Sequence, residues 1–137
     1  MRGRRDSAGN VDRDSRSDWW GVVLDAPDAR ALAHFYADLL GWELTRESDG
    51  HCVVNPRDGS VGYLAVQKVT DYEPPAWPNT AGRQQQMLHL DFEVSDLAEA
   101  VAHAVELGAR EAEFQPQQTV RVMLDPAGHP FCLYIGS

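Results

Sequence analysis

The sequence predicts an α+β fold made of a tandem pair of β-α-β-β-β units behind a short polar segment. Three observations carry this reading. Apolar-alternating runs begin at Gly21 and again at His89, 68 residues later. Each leads into an aspartate-capped helical stripe that a glycine closes, Gly41 in the first unit and Gly108 in the second. Three short strand-like runs follow each stripe, with Asn55-Pro56 and Asp125-Pro126 at corresponding turns. Repetition of order and punctuation at a fixed period is the mark of an internally duplicated structure.

In the first unit, Gly21–Ala26 alternates with Val22, Leu24 and Ala26 on one side, as a strand with one buried face does. Asp28 supplies a helix N-cap oxygen. Leu32, Phe35, Tyr36 and Leu39 then recur at helical spacing until Gly41. Strands are expected at Trp42–Arg46, His51–Asn55 and Val61–Lys68, with Pro56-Arg57-Asp58-Gly59 as a turn. In the second unit His89–Val94 alternates, and Asp96 with Glu99 reads as a capping box. Leu97, Val101, Ala104 and Val105 form the apolar stripe. Strands are expected at Glu111–Phe114, Thr119–Leu124 and Phe131–Ile135, with Asp125-Pro-Ala-Gly128 turning between the last two.

The expected organisation is a flexible tail over 1–18 and one domain over 19–137. That domain divides into unit one (19–69), a linker (70–86) and unit two (87–137). Val11 is the only large apolar residue of 1–18 besides Met1, too little to offset the entropy of ordering the segment. The linker holds Pro74, Pro75, Pro78, Gly82 and Trp77, and is long enough to serve either as a binding loop or as a plain connection.

Charge narrows the function. The chain carries −9 overall; the first 18 residues hold five Arg and four Asp, so the remainder carries −10. A body that acidic is repelled by phosphate backbones and anionic lipid, so neither nucleic acid nor a membrane is expected as a partner. No apolar run approaches the roughly 20 residues that span a bilayer. The Arg-rich start has no secretory apolar stretch, so a cytoplasmic location is expected. Cys52 and Cys132 are too few for a disulfide scaffold.

Four fragments carry a resemblance: Val-Leu-Asp-Ala-Pro-Asp (23–28), His-Phe-Tyr-Ala-Asp-Leu-Leu-Gly-Trp-Glu (34–43), Leu-His-Leu-Asp-Phe-Glu-Val-Ser-Asp-Leu (88–97) and Asp-Pro-Ala-Gly-His-Pro-Phe-Cys-Leu (125–133). In order and spacing they resemble the glyoxalase / bleomycin-resistance / extradiol-dioxygenase superfamily, the vicinal oxygen chelate proteins. The resemblance implies that each unit curls its strands into a half-barrel, that the paired half-barrels enclose a pocket, and that the chain pairs as a homodimer. Metal-dependent members place a His or Gln on each unit's first strand and a Glu on each last strand, converging on a divalent ion. Those positions fall here at Gly21, about Ala65 (with Gln67 two residues on), His89 and Cys132. One clean ligand of four is a poor basis for a catalytic ion, so no metal and no cofactor is expected.

Strand alternation then selects the pocket-facing side chains. His89, Asp91 and Glu93 face the concavity in unit two, matched by Gly21, Val23 and Asp25 in unit one. Tyr63, Ala65 and Gln67, and Cys132 with Tyr134, face inward from the closing strands. On 119–124 the apolar alternation leaves Thr119, Arg121 and Met123 for the pocket. His89 is the best candidate for a catalytic group, as a base held by a carboxylate, or else it is a hydrogen-bonded relic. Arg121 can clamp a substrate carboxylate, or pair internally with Asp91, Glu93 or Glu113. Tyr63, Tyr134 and Trp77 can stack on a flat ligand or simply pack, and Cys132 reads as a small buried hydrophobe or as a thiol. His51, His103 and His129 show no metal spacing, and Asp125-Pro-Ala-Gly reads as turn chemistry.

The reading that results is a small-molecule-binding protein without the inherited metal site, its ligand held by Gln67, Trp77, His89, Asp91, Glu93, Arg121, Cys132 and Tyr134. The acidic inner strands favour a cationic or hydrogen-bond-rich ligand. A lyase, isomerase or dioxygenase-like enzyme with an altered metal site is the alternative, and a protein-interaction module on the same scaffold is the third reading.

Overall fold

Two helices and eight strands make the architecture of the computed structural model, which describes Arg2, Arg4, Arg16 and residues 18–136. The first unit runs β1 (Trp20–Ala26), α1 (Ala29–Leu40), β2 (Glu43–Glu47), β3 (His51–Asn55) and β4 (Gly62–Lys68). The second runs β5 (Leu90–Glu93), α2 (Leu97–Glu106), β6 (Arg110–Glu111), β7 (Val120–Leu124) and β8 (Pro130–Tyr134). Each unit forms a mixed four-stranded sheet, β1-β4-β3-β2 and β5-β8-β7-β6, with its first strand parallel to its last. The flexible tail expected over 1–18 falls largely outside the described residues. At its end, buried Asp18 takes a two-pronged contact from Arg16, at 3.0 Å on each carboxylate oxygen.

Local chemistry sets the helix ends. Asp28 Oδ1 accepts from the Ala31 amide at 3.0 Å and starts α1; Gly41, at φ +65°, lets the chain leave it in the left-handed conformation. Asp96 Oδ1 likewise accepts from the Glu99 amide at 3.0 Å. One expected strand is cut short. Past Glu111 the Gln115 side chain takes over the ladder's bonding: its Nε2 donates to Ala112 O and Val122 O (2.8 and 2.9 Å), and its Oε1 accepts from Val122 N (2.8 Å). The Ala112 amide keeps one backbone bond to Val122 O (3.0 Å), and because a side-chain amide presents the same donor and acceptor as a peptide group, residues 113–114 leave the sheet without orphaning Val122 N.

A single core joins the units. Leu24, Ala26, Leu32, Phe35, Tyr36, Val54 and Val66 from unit one pack in the same buried cluster as Ala104, Met123, Phe131 and Leu133 from unit two. Its centre is aromatic: the Tyr36 ring meets Phe35, Phe92 and Phe131 at centroid distances of 5.0, 6.5 and 6.2 Å. Edge-to-face packing of this kind adds about 0.5–1.5 kcal/mol per pair beyond the area buried. The Tyr36 hydroxyl, fully inside, donates to Asp125 Oδ2 at 2.7 Å and so ties α1 to the β7–β8 turn.

Two outcomes test this joint. Tyr36→Phe is expected to lower the unfolding free energy in urea by about 1.5–3 kcal/mol, the usual worth of a buried hydrogen bond to a carboxylate. Burial, and then the neighbouring Asp125 charge, holds the Tyr36 hydroxyl well above the usual tyrosine range. Because the folded chain keeps this proton longer than the unfolded chain, the contribution is intact below about pH 10 and is lost as pH rises beyond it. Tyr36→Phe should therefore flatten the alkaline fall in stability measured between pH 9 and 11.

Candidate functional site

Two clefts flank His89. The first, of about 230 Å3, lies between the units, where β1 presents Val23 and Asp25, the linker presents Tyr72 and Gln86, and His129 forms the far wall. The second, of about 440 Å3, lies on the open face of the second sheet beside Asp91, Cys132, Tyr134, Thr119 and Val120. Residues on paired strands at the same register point to the same side, which fixes who shares each face.

On the first sheet, Asp25 and Gln67 are register partners, and the Gln67 amide donates to Asp25 Oδ1 at 2.7 Å. Gly21 is the register partner of Tyr63. A β-carbon at Gly21 would overlap the Tyr63 ring, so the aromatic ring fills the space that a side chain at 21 would use. The smallness of Gly21 therefore makes room for Tyr63 and not, as its size alone suggests, for a ligand. The same geometry bears on the inherited metal positions. Of its four positions, Gly21 and buried Ala65 carry no donor atom and the first is covered by Tyr63, so the residues present do not fit that ion.

On the second sheet, Asp91 faces Cys132 across the β5–β8 pair, and His89 Nε2 lies 3.2 Å from Asp91 Oδ1. Burial, aided by the Asp91 charge and hydrogen bond, pushes the Cys132 thiol up to about 11. Thiolate is thereby disfavoured at neutral pH, and Cys132 is a slow nucleophile as it stands. Tyr134 is half-buried in the second cleft. Glu93 lays its carboxylate over Gly136, where a β-carbon would collide with it.

Three sequence expectations are corrected. Arg121 pairs in register with buried Leu133, on the helix side of the sheet, while Val120 and Val122 pair with Tyr134 and Cys132 on the open side. The Arg121 stem lies by Leu97 and Val101 of α2, and its guanidinium reaches Glu111 (3.5 Å) and the Val120 and Gln118 carbonyls (2.9 and 3.0 Å). Met123 likewise lies in the core. The alternation misleads here because Val122 and Met123 are both buried, so this strand has no polar face to read. Trp77 lines neither cleft: its Nε1 donates to Phe114 O at 3.1 Å and its ring packs on Phe114 at 6.2 Å.

The sequence reading missed the wall of the first cleft. Asp125, 2 % exposed, accepts from the Ala127 and His129 amides (2.9 and 3.0 Å), from Tyr36 (2.7 Å), and from His129 Nδ1 at 2.8 Å. In the neutral ring, Nδ1 donating to the carboxylate leaves Nε2 as the acceptor. The nearby Tyr72 hydroxyl, 3.4 Å away, spends its proton on Ala127 O at 2.7 Å. Gln86 Oε1, also at this cleft, is buried with no hydrogen-bond partner in the protein. The signal was a four-residue step from Asp125 to His129, hidden inside a turn that already explained the aspartate.

Three variants check these placements. Gly21→Ala should cost about 1–3 kcal/mol by overpacking, and the cost should shrink in a Tyr63→Ala background, as a denaturant double-mutant cycle would show. Arg121→Ala should leave small-molecule binding unchanged.

A family model described as a glyoxalase-like domain matches residues 21–134. Among solved structures, a possible glyoxalase from Bacillus cereus superimposes with a TM-score of 0.60 at 14 % identity, over 83 % of this chain and 95 % of that one. A glyoxalase-related enzyme from Fulvimarina pelagi gives 0.61 at 17 % identity, over 85 % and 86 %. A glyoxalase / bleomycin resistance protein from Catenulispora acidiphila DSM 44928 gives 0.55 at 20 % identity, over 87 % and 98 %. At such identities the likeness is one of fold. No curated protein sequence matches the chain significantly.

Proposed function

Because the chain belongs to the glyoxalase / bleomycin-resistance superfamily through its glyoxalase-like domain, we propose that it is a small-molecule-binding member that works without the inherited metal, holding its ligand in the cleft between the units. The observation that carries the reading is the set of acceptors left for a ligand there. Gln86 Oε1 is buried without a partner, His129 in its neutral form offers Nε2 as an acceptor while Nδ1 is tied to Asp125, and the Asp25 carboxylate stands on the facing strand. A buried acceptor without a donor costs about 1–3 kcal/mol, which a donating ligand recovers. Val23, Leu24, Pro75 and Leu90 supply apolar walls. A cavity of about 230 Å3 suits a small body, and the acceptors suit one that is cationic or rich in N–H and O–H groups.

The test is a thermal-shift screen of small amines, guanidines and hydroxylated aromatics, with carboxylates and keto acids as the opposing class. A ligand at 100 times its Kd adds about 2.7 kcal/mol to stability. The donating class should shift the melting temperature, and His89→Ala and Asp25→Asn should each weaken the best hit at least tenfold by calorimetry. Gln86→Met should weaken it too while leaving the free protein as stable or more so, since the orphaned oxygen is gone. No shift from any class, or affinity indifferent to all three substitutions, would overturn the reading in favour of an interaction module.

A further inference from the structure

The groups around the cleft between the units have committed their hydrogen-bond donors inward. Tyr36 donates its hydroxyl proton to Asp125 (2.7 Å), Tyr72 donates to Ala127 O (2.7 Å), and neutral His129 donates from Nδ1 to Asp125 (2.8 Å). What remains for a ligand are acceptors: His129 Nε2, the buried and unpartnered Gln86 Oε1, and Asp25 Oδ2, whose companion oxygen takes the Gln67 amide at 2.7 Å. Glu73 adds a second carboxylate to the lining, and among the described residues of that lining none is Lys or Arg. Burial, and then the Asp125 and Asp25 charges, hold the Tyr72 hydroxyl above the usual tyrosine range. Its proton therefore stays committed to the Ala127 carbonyl, and the negative field of Asp25 reaches this wall.

We propose that this cleft is a guanidinium site, taking the planar cation on a short unbranched alkyl stem; this rests on the small-molecule reading of the same cleft and narrows its ligand to one class. The acceptors stand on three separate elements: Asp25 on β1, Gln86 at the end of the linker and His129 in the β7–β8 turn. An ammonium group radiates three N–H bonds from one point. A guanidinium spreads five along the edges of a plane, and so serves acceptors on several walls at once.

The remaining walls favour the same head group. A guanidinium is more weakly hydrated than an ammonium, so it gives up less on entering a cleft also lined by Val23, Leu24, Pro75 and Leu90. The Tyr72 and His129 rings lie side by side, their centroids 5.8 Å apart, and give the cleft an aromatic wall on which a flat cation stacks. Within about 230 Å3 the apolar residues leave room for a short stem beside the head. A ligand carrying its own carboxylate is repelled by Asp25 and Glu73, which excludes free arginine and other guanidino acids.

The experiment titrates the full chain by calorimetry, at a mildly alkaline pH that keeps His129 neutral, with probes of matched stem: n-butylguanidinium, n-butylammonium and n-butylurea. Butylguanidinium should bind once per chain and at least tenfold more tightly than butylammonium. Butylurea has the same shape but no charge and a carbonyl where a donor is needed, so it should bind at least tenfold more weakly still. Tyr72→Leu should abolish the preference for guanidinium over ammonium. Tyr72→Phe loses the same bond to Ala127 but keeps the ring, and should retain the preference. N-acetylarginine methylamide carries the same head on a peptide backbone: exclusion, the expected result in so small a cleft, supports a free small molecule, and equal affinity supports an arginine side chain as the source. Butylammonium or a hydroxylated aromatic binding as tightly as butylguanidinium overturns the assignment and leaves the broader donor-ligand reading standing, whereas no binding by any probe overturns both. A preference that Tyr72→Leu leaves intact, or that Tyr72→Phe abolishes, also overturns the assignment.

Discussion

Asp125 is a carboxylate buried in the β7–β8 turn, and such a group is tolerated only when nearly every lone pair is taken. Here two backbone amides close its own turn, the His129 ring fixes one flank, and the Tyr36 hydroxyl arrives from the other unit's helix. The last of these sets the relation between the halves. Each sheet is internally held by its ladders, but the units meet chiefly through side chains, and an apolar cluster alone tolerates sliding. A directed bond at the centre of the Phe35, Tyr36, Phe92 and Phe131 cluster turns that contact into a defined orientation. The same carboxylate aims His129 Nε2 at the cleft, so the joint and the wall of the site are one piece of chemistry.

The duplicated plan is put to different use in its two halves. In the first sheet the open face is largely spent on itself: Tyr63 lies over Gly21, and Asp25 is engaged by Gln67. In the second sheet the corresponding face remains polar, with His89, Asp91 and Cys132 at its edge. Part of the chain's negative charge, on Asp25 and Asp91, thus stands at the clefts. Exposed charges are screened beyond about 8 Å at physiological salt, so they act on a bound molecule rather than at a distance.

Much of this was legible in the sequence because it is encoded locally. Asp28, Gly41 and Asp96 act within four residues of themselves, and the alternation of β1 and β5 has a true polar face to contrast with the buried one. The failures share a cause, which is chemistry supplied from elsewhere in the fold. Arg121 reads as a pocket residue because nothing near it in sequence reveals α2, against which its stem lies. The strand at 111–114 stops early because Gln115 substitutes a side-chain amide for the backbone. His129 escapes notice because its partner Asp125 already has a local role, and the burial that couples them comes from Tyr36, 89 residues away.

The two clefts differ in what they depend on. Asp25 and His129 reach the first cleft from different units, so its shape follows the orientation that Tyr36 and Asp125 impose. Loosening that bond would shift the acceptors relative to one another before either sheet unfolds, because the ladders are independent of it. Asp91 and Cys132, by contrast, are register partners in one ladder and keep their spacing as long as β5 pairs with β8. The geometry of the second cleft therefore rests on strand pairing within one unit, and that of the first on a single directed bond between the units.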